Sequence, residues 1–181
     1  MTIKEKLVRI KDMDTSENAL FSGEEIIMFI DNISLTNNSK VQTSAKGFQD
    51  LSLASGENIQ TNYNRRKSNI TYKGFENPTI NISGLISETA IGSDTITLDD
   101  GIYKLLTPIR LFQLVTSGKS FYLNDYILIN NLKTLDTDNN RIYNDNGMPV
   151  AIQGFTMTPI LGIGDEKGIN YTIDFIEDKE I

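Results

Sequence analysis

Thr79-Ile80-Asn81-Ile82-Ser83-Gly84-Leu85-Ile86 is the stretch that decides the fold. On an extended backbone Ile80 and Ile82 fall on one side and Asn81 and Ser83 on the other, the period of a half-buried strand. Pro78 stands at the strand entrance, where a missing N–H costs least. Gly84 interrupts the alternation and shifts its phase, so that Leu85 and Ile86 carry it on. A glycine there implies a bulge or the close approach of another backbone.

Working outward, the same strand signal recurs. Upstream, residues 70–72 form a short strand that leads through a turn over 74–78, and residues 24–35 (EEIIMFIDNISL) open apolar and settle into alternation, which specifies another strand. Downstream, residues 95–98 repeat the pattern briefly and residues 121–132 make a strongly apolar strand. A polar hairpin loop over 136–147 follows, and residues 150–158 and 169–176 close the chain as a strand pair joined through Gly162, Gly164 and Gly168. In the last strand Tyr171, Ile173 and Phe175 share a face opposite Thr172 and Asp174.

One helix stands out. Thr107 is a good N-cap, Pro108 suits the first helical position, and Gly118 supplies a left-handed closing residue. Ile109, Phe112 and Val115 or Leu114 make its apolar stripe. Ile102, Leu105 and Leu106 just before it fit either an extra helical turn or a short strand. Residues 36–69 are rich in Asn, Ser, Gln and Gly, and a polar stretch of that length reads as an arm that faces a partner. The fold class expected is mainly β: one β-rich domain over residues 1–181, an antiparallel β-sandwich or β-barrel with one flanking α-helix and long loops.

Composition narrows the chemistry. The chain has no His, Cys or Trp among 181 residues, which removes the commonest general base, nucleophile and soft metal ligands and favours an assembly protein over an enzyme. With 17 Lys+Arg against 24 Asp+Glu, its net charge of −7 argues against a general affinity for nucleic-acid phosphates. The first 20 residues carry no signal-peptide core and no window suggests a membrane anchor, so a cytosolic origin is expected. The Asn-x-Ser/Thr sequons follow from the richness in Asn, Ser and Thr.

Several motifs have a chemical and a plain reading. Asp136-Thr137-Asp138-Asn139-Asn140 has the spacing of the first ligands of a calcium loop, but Arg141 stands where glycine is needed and Gly147 where a bidentate Glu is needed; a turn is the better reading. The neighbouring acids Glu24/Glu25, Asp99/Asp100 and Glu177/Asp178 diverge on a strand and read as solvated charges. Gly162-Ile163-Gly164 lacks the rest of a phosphate loop. The tyrosines are not interleaved with basic residues, so no base-stacking platform is indicated. Neither a cofactor nor a metal is expected. Arg65, Arg66 and Lys67 form the densest basic cluster and, with Phe48 and Tyr63, are the candidate subunit-interface residues.

Taken together, GFENPTINISGLI at 74–86, TPIRLFQLVTSG at 107–118, and VAIQGFTMTP and INYTIDFIED at 150–178 resemble the tube proteins of phage tails and related contractile injection systems. The resemblance implies a β-sandwich or barrel with a helix on its flank. It also implies subunits that join their sheets into a ring, usually of six, and rings that stack into a tube through which DNA passes without specific binding. The partners would be further copies of the chain and other tail proteins, the location the virion tail assembled in the host cytoplasm, and the polar arm would reach an adjacent subunit or ring. A baseplate or tail-tip protein of the same fold is the nearest alternative. A carbohydrate- or cell-surface-binding β-sandwich and a carboxylate-based hydrolase are the others, the last because two acids suffice for glycoside cleavage.

Overall fold

The alternating segments become eleven strands and two helices among the described residues of the computed structural model, which are 3–37, 39–45, 68–75, 77–87, 95–160 and 168–178. In chain order they are β1 (Leu7–Asp12), β2 (Ile26–Phe29), β3 (Asn32–Thr36), β4 (Ser39–Ala45), β5 (Ser68–Phe75), β6 (Thr79–Ser87), β7 (Thr95–Leu98), β8 (Gly101–Leu105), α1 (Pro108–Thr116), β9 (Ser120–Asp125), α2 (Leu128–Lys133), β10 (Met148–Pro159) and β11 (Gly168–Glu177). The 3-10 turns Ile3–Lys6 and Leu20–Gly23 flank β1 and β2. The chain divides into two compact units, Met1–Thr36 with Pro78–Ile181, and Asn37–Asn77.

The larger unit is mainly β, a 9-stranded sheet in the order β3-β6-β11-β10-β9-β1-β2-β8-β7. All of its pairs are antiparallel except β2 with β8, which run parallel at Ile26↔Lys104 and Ile27↔Leu105. The order returns on itself, because β2 and β3 are two halves of one run separated by Ile30 and Asp31. The Ile30 N–H donates to Lys6 O at 2.9 Å, extending the β1 pairing, whereas the Asp31 N–H, one residue on, donates to Ser83 O of β6 at 2.8 Å. Successive N–H groups of a strand point to opposite sides, so this run closes β1, β9, β10, β11 and β6 into a barrel-like ring. The expected strand over 24–35 is therefore a strand with a corner. Ile27 is buried outside the main core cluster, whereas the positions that pack into that cluster pass from Ile26, Met28 and Ile30 to half-buried Ile33 and Leu35, a change of phase from even to odd that marks the bend.

Gly84 lies at this seam. A Cβ there would overlap Phe29 O and stand 3.0 Å from the Ile30 Cα. Pairing of β6 with β11 is regular through Gly84↔Tyr171, and Ile80, Ile82, Gly84 and Ile86 all face inward while Leu85 faces out. Gly84 thus serves a close backbone approach, and the alternation keeps its phase through it. The irregularity falls instead in β10, between Ile152 and Gly154. The core inside the ring includes Val8, Ile10, Met28, Ile80, Ile82, Phe121, Leu123, Val150, Tyr171, Ile173 and Phe175. The shared face of Tyr171, Ile173 and Phe175 is as the sequence specifies.

Helix α1 begins as expected: Thr107 Oγ1 accepts the Arg110 N–H at 3.2 Å, Pro108 opens the first turn and Gly118 takes φ +64. Its buried face, however, is Leu111 and Leu114, with Val115 packed at the margin, while Ile109 and Phe112 are 72% and 55% exposed. The segment before it, Gly101–Leu105, is a strand. The apolar run over 121–132 also divides. Asp125 ends β9, and its carboxylate accepts the N–H groups of Ile127 (3.1 Å), Leu128 (2.8 Å) and Ile129. Three donors gathered on one carboxylate satisfy a helical first turn, so Leu128–Lys133 coils where apolarity alone suggests a strand.

In the smaller unit β4 and β5 form an antiparallel pair, with an irregularity between Ser39 and Val41. β5 runs on across Gly74, where the sequence suggests a turn. The two strands bracket residues 46–67, most of the expected polar arm, which lie outside the described residues.

Candidate assembly interface

Phe48, Tyr63, Arg65, Arg66 and Lys67 lie outside the described residues, as do Gly162 and Gly164. The described residues supply other candidate surfaces, the first of which is backbone. β3 and β7 are the two terminal strands of the sheet order, each with one neighbour in it. The two strands read alike: NISLT alternates exposed with half-buried positions, and TITL does the same. A strand joining them would continue the apolar side with Ile33, Leu35, Ile96 and Leu98 and the polar side with Ser34 and Thr97.

The second candidate is apolar: Ile109 and Phe112 on α1, and Ile102 on β8, are exposed. Single exposed hydrophobics are ordinary, but two spaced i, i+3 on one helix make a contiguous strip.

The third is a charged cluster that holds the β7–β8 hairpin. Arg9 of β1 donates to Asp100 Oδ2 at 2.6 Å, to Tyr103 Oη at 3.2 Å and to Tyr126 Oη, and lies 3.6 Å from Glu25 Oε2. Its guanidinium carbon sits 4.7 Å from the centroid of the Tyr103 ring and 5.3 Å from that of Tyr126, a cation held between two aromatic rings. Burial works against the Arg9 charge, but the Asp100 hydrogen bond and the phenol and carboxylate neighbours outweigh it and raise the pKa. In return the Arg9 hydrogen bond holds the Asp100 carboxyl below its ordinary range. Burial pushes the Tyr103 phenol up. Lys104 adds a 2.6 Å ion pair to Glu24. Next to the cluster is a polar pocket of about 230 Å³ whose lining includes Arg9, Asn124, Tyr126, Asn130, Lys133 and Asp145.

The tyrosines do meet a basic side chain, then, but in space and not in sequence. Arg9 and Tyr126 are 117 positions apart, and no local pattern could have joined them. The sequence does carry one signal, a charged residue inside the run Leu7-Val8-Arg9-Ile10.

The neighbouring acid pairs diverge as expected, yet most of them are bound and not merely solvated. Glu24 and Glu25 pair with Lys104 and Arg9, Asp178 accepts from Ser120 Oγ, and Glu177 is buried. Asp136 makes the expected turn: its Oδ1 accepts the N–H groups of Asp138 at 2.9 Å and Asn140 at 2.8 Å, which hold its pKa low. A second acidic loop follows β1, where Lys119 Nζ meets Asp12 (3.1 Å), Asp14 (2.9 Å) and Asn18 O (2.6 Å). Among the described residues no group of three or more His, Cys, Asp or Glu side chains is placed to hold a metal ion, and no helix is long and apolar enough to cross a membrane.

These surfaces comprise two terminal strands of the sheet, an exposed apolar strip and an ion-paired hairpin. No protein-family model matches the chain, and no characterised protein matches it at a significant level of similarity.

Proposed function

We propose that the chain is a structural subunit of a phage tail or a related injection machine, which self-associates into rings that stack into a channel for DNA. The observation that carries this reading is the pair of terminal strands, β3 and β7, on one sheet that otherwise closes on itself. Free edges are an aggregation hazard in a lone subunit, and a head-to-tail ring pairs each with its complement. The like alternation of NISLT and TITL lets such a junction continue both faces of the sheet. The exposed Ile109 and Phe112 provide a further contact, toward the next ring or a companion tail protein. The acidic balance suits a channel past which DNA slides. No cofactor is needed, and the setting is the virion tail. A tail-tip or baseplate position uses the same edges in a single ring.

A second reading, a carbohydrate- or cell-surface-binding module, is favoured by the polar pocket of about 230 Å³ beside Tyr126, whose Asn124, Asn130 and Asp145 suit hydroxyl groups. The Ser34→Lys variant separates the two readings. Ser34 is exposed on a terminal strand, where a charged side chain blunts edge pairing, so the variant should fold with an unchanged circular dichroism spectrum and remain monomeric by mass photometry where the parent forms rings. Ring formation undiminished by the substitution would remove β3 from the junction.

A further inference from the structure

Val8 and Ile10 pack into the core, so Arg9 between them emerges on the opposite side of β1, where it reaches the β7–β8 hairpin. Of the residues of β7 and β8, Leu105 alone is buried. It lies at the base of the hairpin, where the two parallel pairs with β2 and the Leu106 N–H to Ile27 O bond also fall. Farther out the ties are polar. Arg9 donates to Tyr103 Oη at 3.2 Å in the middle of β8 and to Asp100 Oδ2 at 2.6 Å in the turn.

Three properties make this attachment reversible. The acidic partners lie toward water: the Asp100 side chain is 44% exposed and that of Glu24, paired with Lys104, is 57% exposed. Ion pairs so placed are screened by dissolved salt. The closed arrangement is also imperfect, because among the described residues the Arg9 Nε is enclosed without a hydrogen bond from the chain, a donor that water satisfies once the hairpin lifts. Finally, the ring of strands closes through the bend between β2 and β3, while β8 and β7 stand at the end of the sheet order. The hairpin can therefore lift while the ring stays closed.

We propose that Arg9 and its partners form a salt-released latch on the β7–β8 hairpin, which presents β7 to a second copy when closed and withdraws it as ionic strength rises. The gating of association rests on the ring-forming reading above; the release itself does not. The test is hydrogen exchange of the dilute full-length chain at low and at molar salt, with residues 95–105 read relative to residues 79–87 of β6. Hairpin exchange about threefold faster at molar salt is expected, with β6 unchanged. In Arg9→Met the hairpin should exchange fast at both salt levels. Asp100→Asn removes the charge on the hairpin's side at an exposed position and should likewise lose the salt response, so the result holds even where Arg9→Met folds poorly. Exchange indifferent to salt in the parent, or a salt response kept in full by both variants, would overturn the latch. Ring assembly at higher concentration, followed separately by light scattering, keeps the two ideas apart. Salt-released exchange in a chain that never forms rings upholds the latch and sinks the ring. Rings from a chain whose hairpin ignores salt uphold the ring and sink the latch, and rings that persist in salt that has released the hairpin sink the gate.

Discussion

The β3–β6 seam and the β7–β8 hairpin both attach to the bent run of β2 and β3, and they are held by opposite means. At the seam, register runs unbroken from Asn32↔Ser83 to Thr36↔Thr79, the Phe29–Ile30 backbone packs against Gly84, and Tyr171 Oη donates to Phe29 O at 2.6 Å over buried Ile80, Ile82 and Ile86. The hairpin is attached through two parallel residue pairs, the Leu106 N–H to Ile27 O bond at 2.9 Å, buried Leu105, and the polar contacts of Arg9 and Lys104. Close packing tolerates no added volume and is insensitive to solvent, whereas exposed ion pairs are weak and respond to salt and pH. The seam is built to stay closed. The hairpin carries a free edge on an attachment that conditions can loosen.

Breaking the seam should have the largest effect. Gly84→Val forces a side chain into the Phe29 carbonyl, and a loss of about 3 kcal/mol is expected, read as a lower urea midpoint. A loss within error would mean that β2 and β6 do not meet as closely as described. Arg9→Met removes the latch and should cost about 2 kcal/mol, with faster hydrogen exchange confined to residues 95–105. Exchange that rises equally in β6 would show that the two attachments are not independent. Thr107→Ala, outside both, loses the α1 cap and should cost about 1 kcal/mol without changing hairpin exchange.

The smallest effect is that of acid. The Asp100 carboxyl is held below its ordinary value of 3.8 chiefly by the Arg9 hydrogen bond. A carboxyl with a depressed folded pKa contributes in full above the unfolded value, and the contribution is lost as the pH falls through the folded one. Hairpin exchange, corrected for its intrinsic pH dependence, should therefore be flat from pH 7 to pH 5 and rise below about pH 4, while seam exchange stays protected. A rise already at pH 6 would assign the latch to some other group.

The strand class was legible because period-2 alternation is local, as in TINISGLI and in Tyr171-Thr172-Ile173-Asp174-Phe175. So was the start of α1, whose cap and proline act within one turn. What escaped depends on distant partners. Gly84 is legible as a special position, but whether it bulges or accepts a backbone depends on Phe29, fifty-odd residues earlier. The buried face of α1 is chosen by what lies beneath it, which is why Leu111 and Leu114 turn in and Ile109 and Phe112 do not. Ile127-Leu128-Ile129 suits a strand or a helix, and the Asp125 carboxylate settles the matter. At the candidate interface, a basic triplet and two aromatics were legible as composition, whereas the Arg9 latch joins residues that no spacing rule connects.

Closed association through the two sheet ends is the central claim, and negative-stain electron microscopy of the purified chain across a concentration series, with mass photometry on the same samples, tests it most directly. Rings of uniform diameter, or tubes built from them, are the predicted result. A monodisperse monomer at every concentration would contradict it.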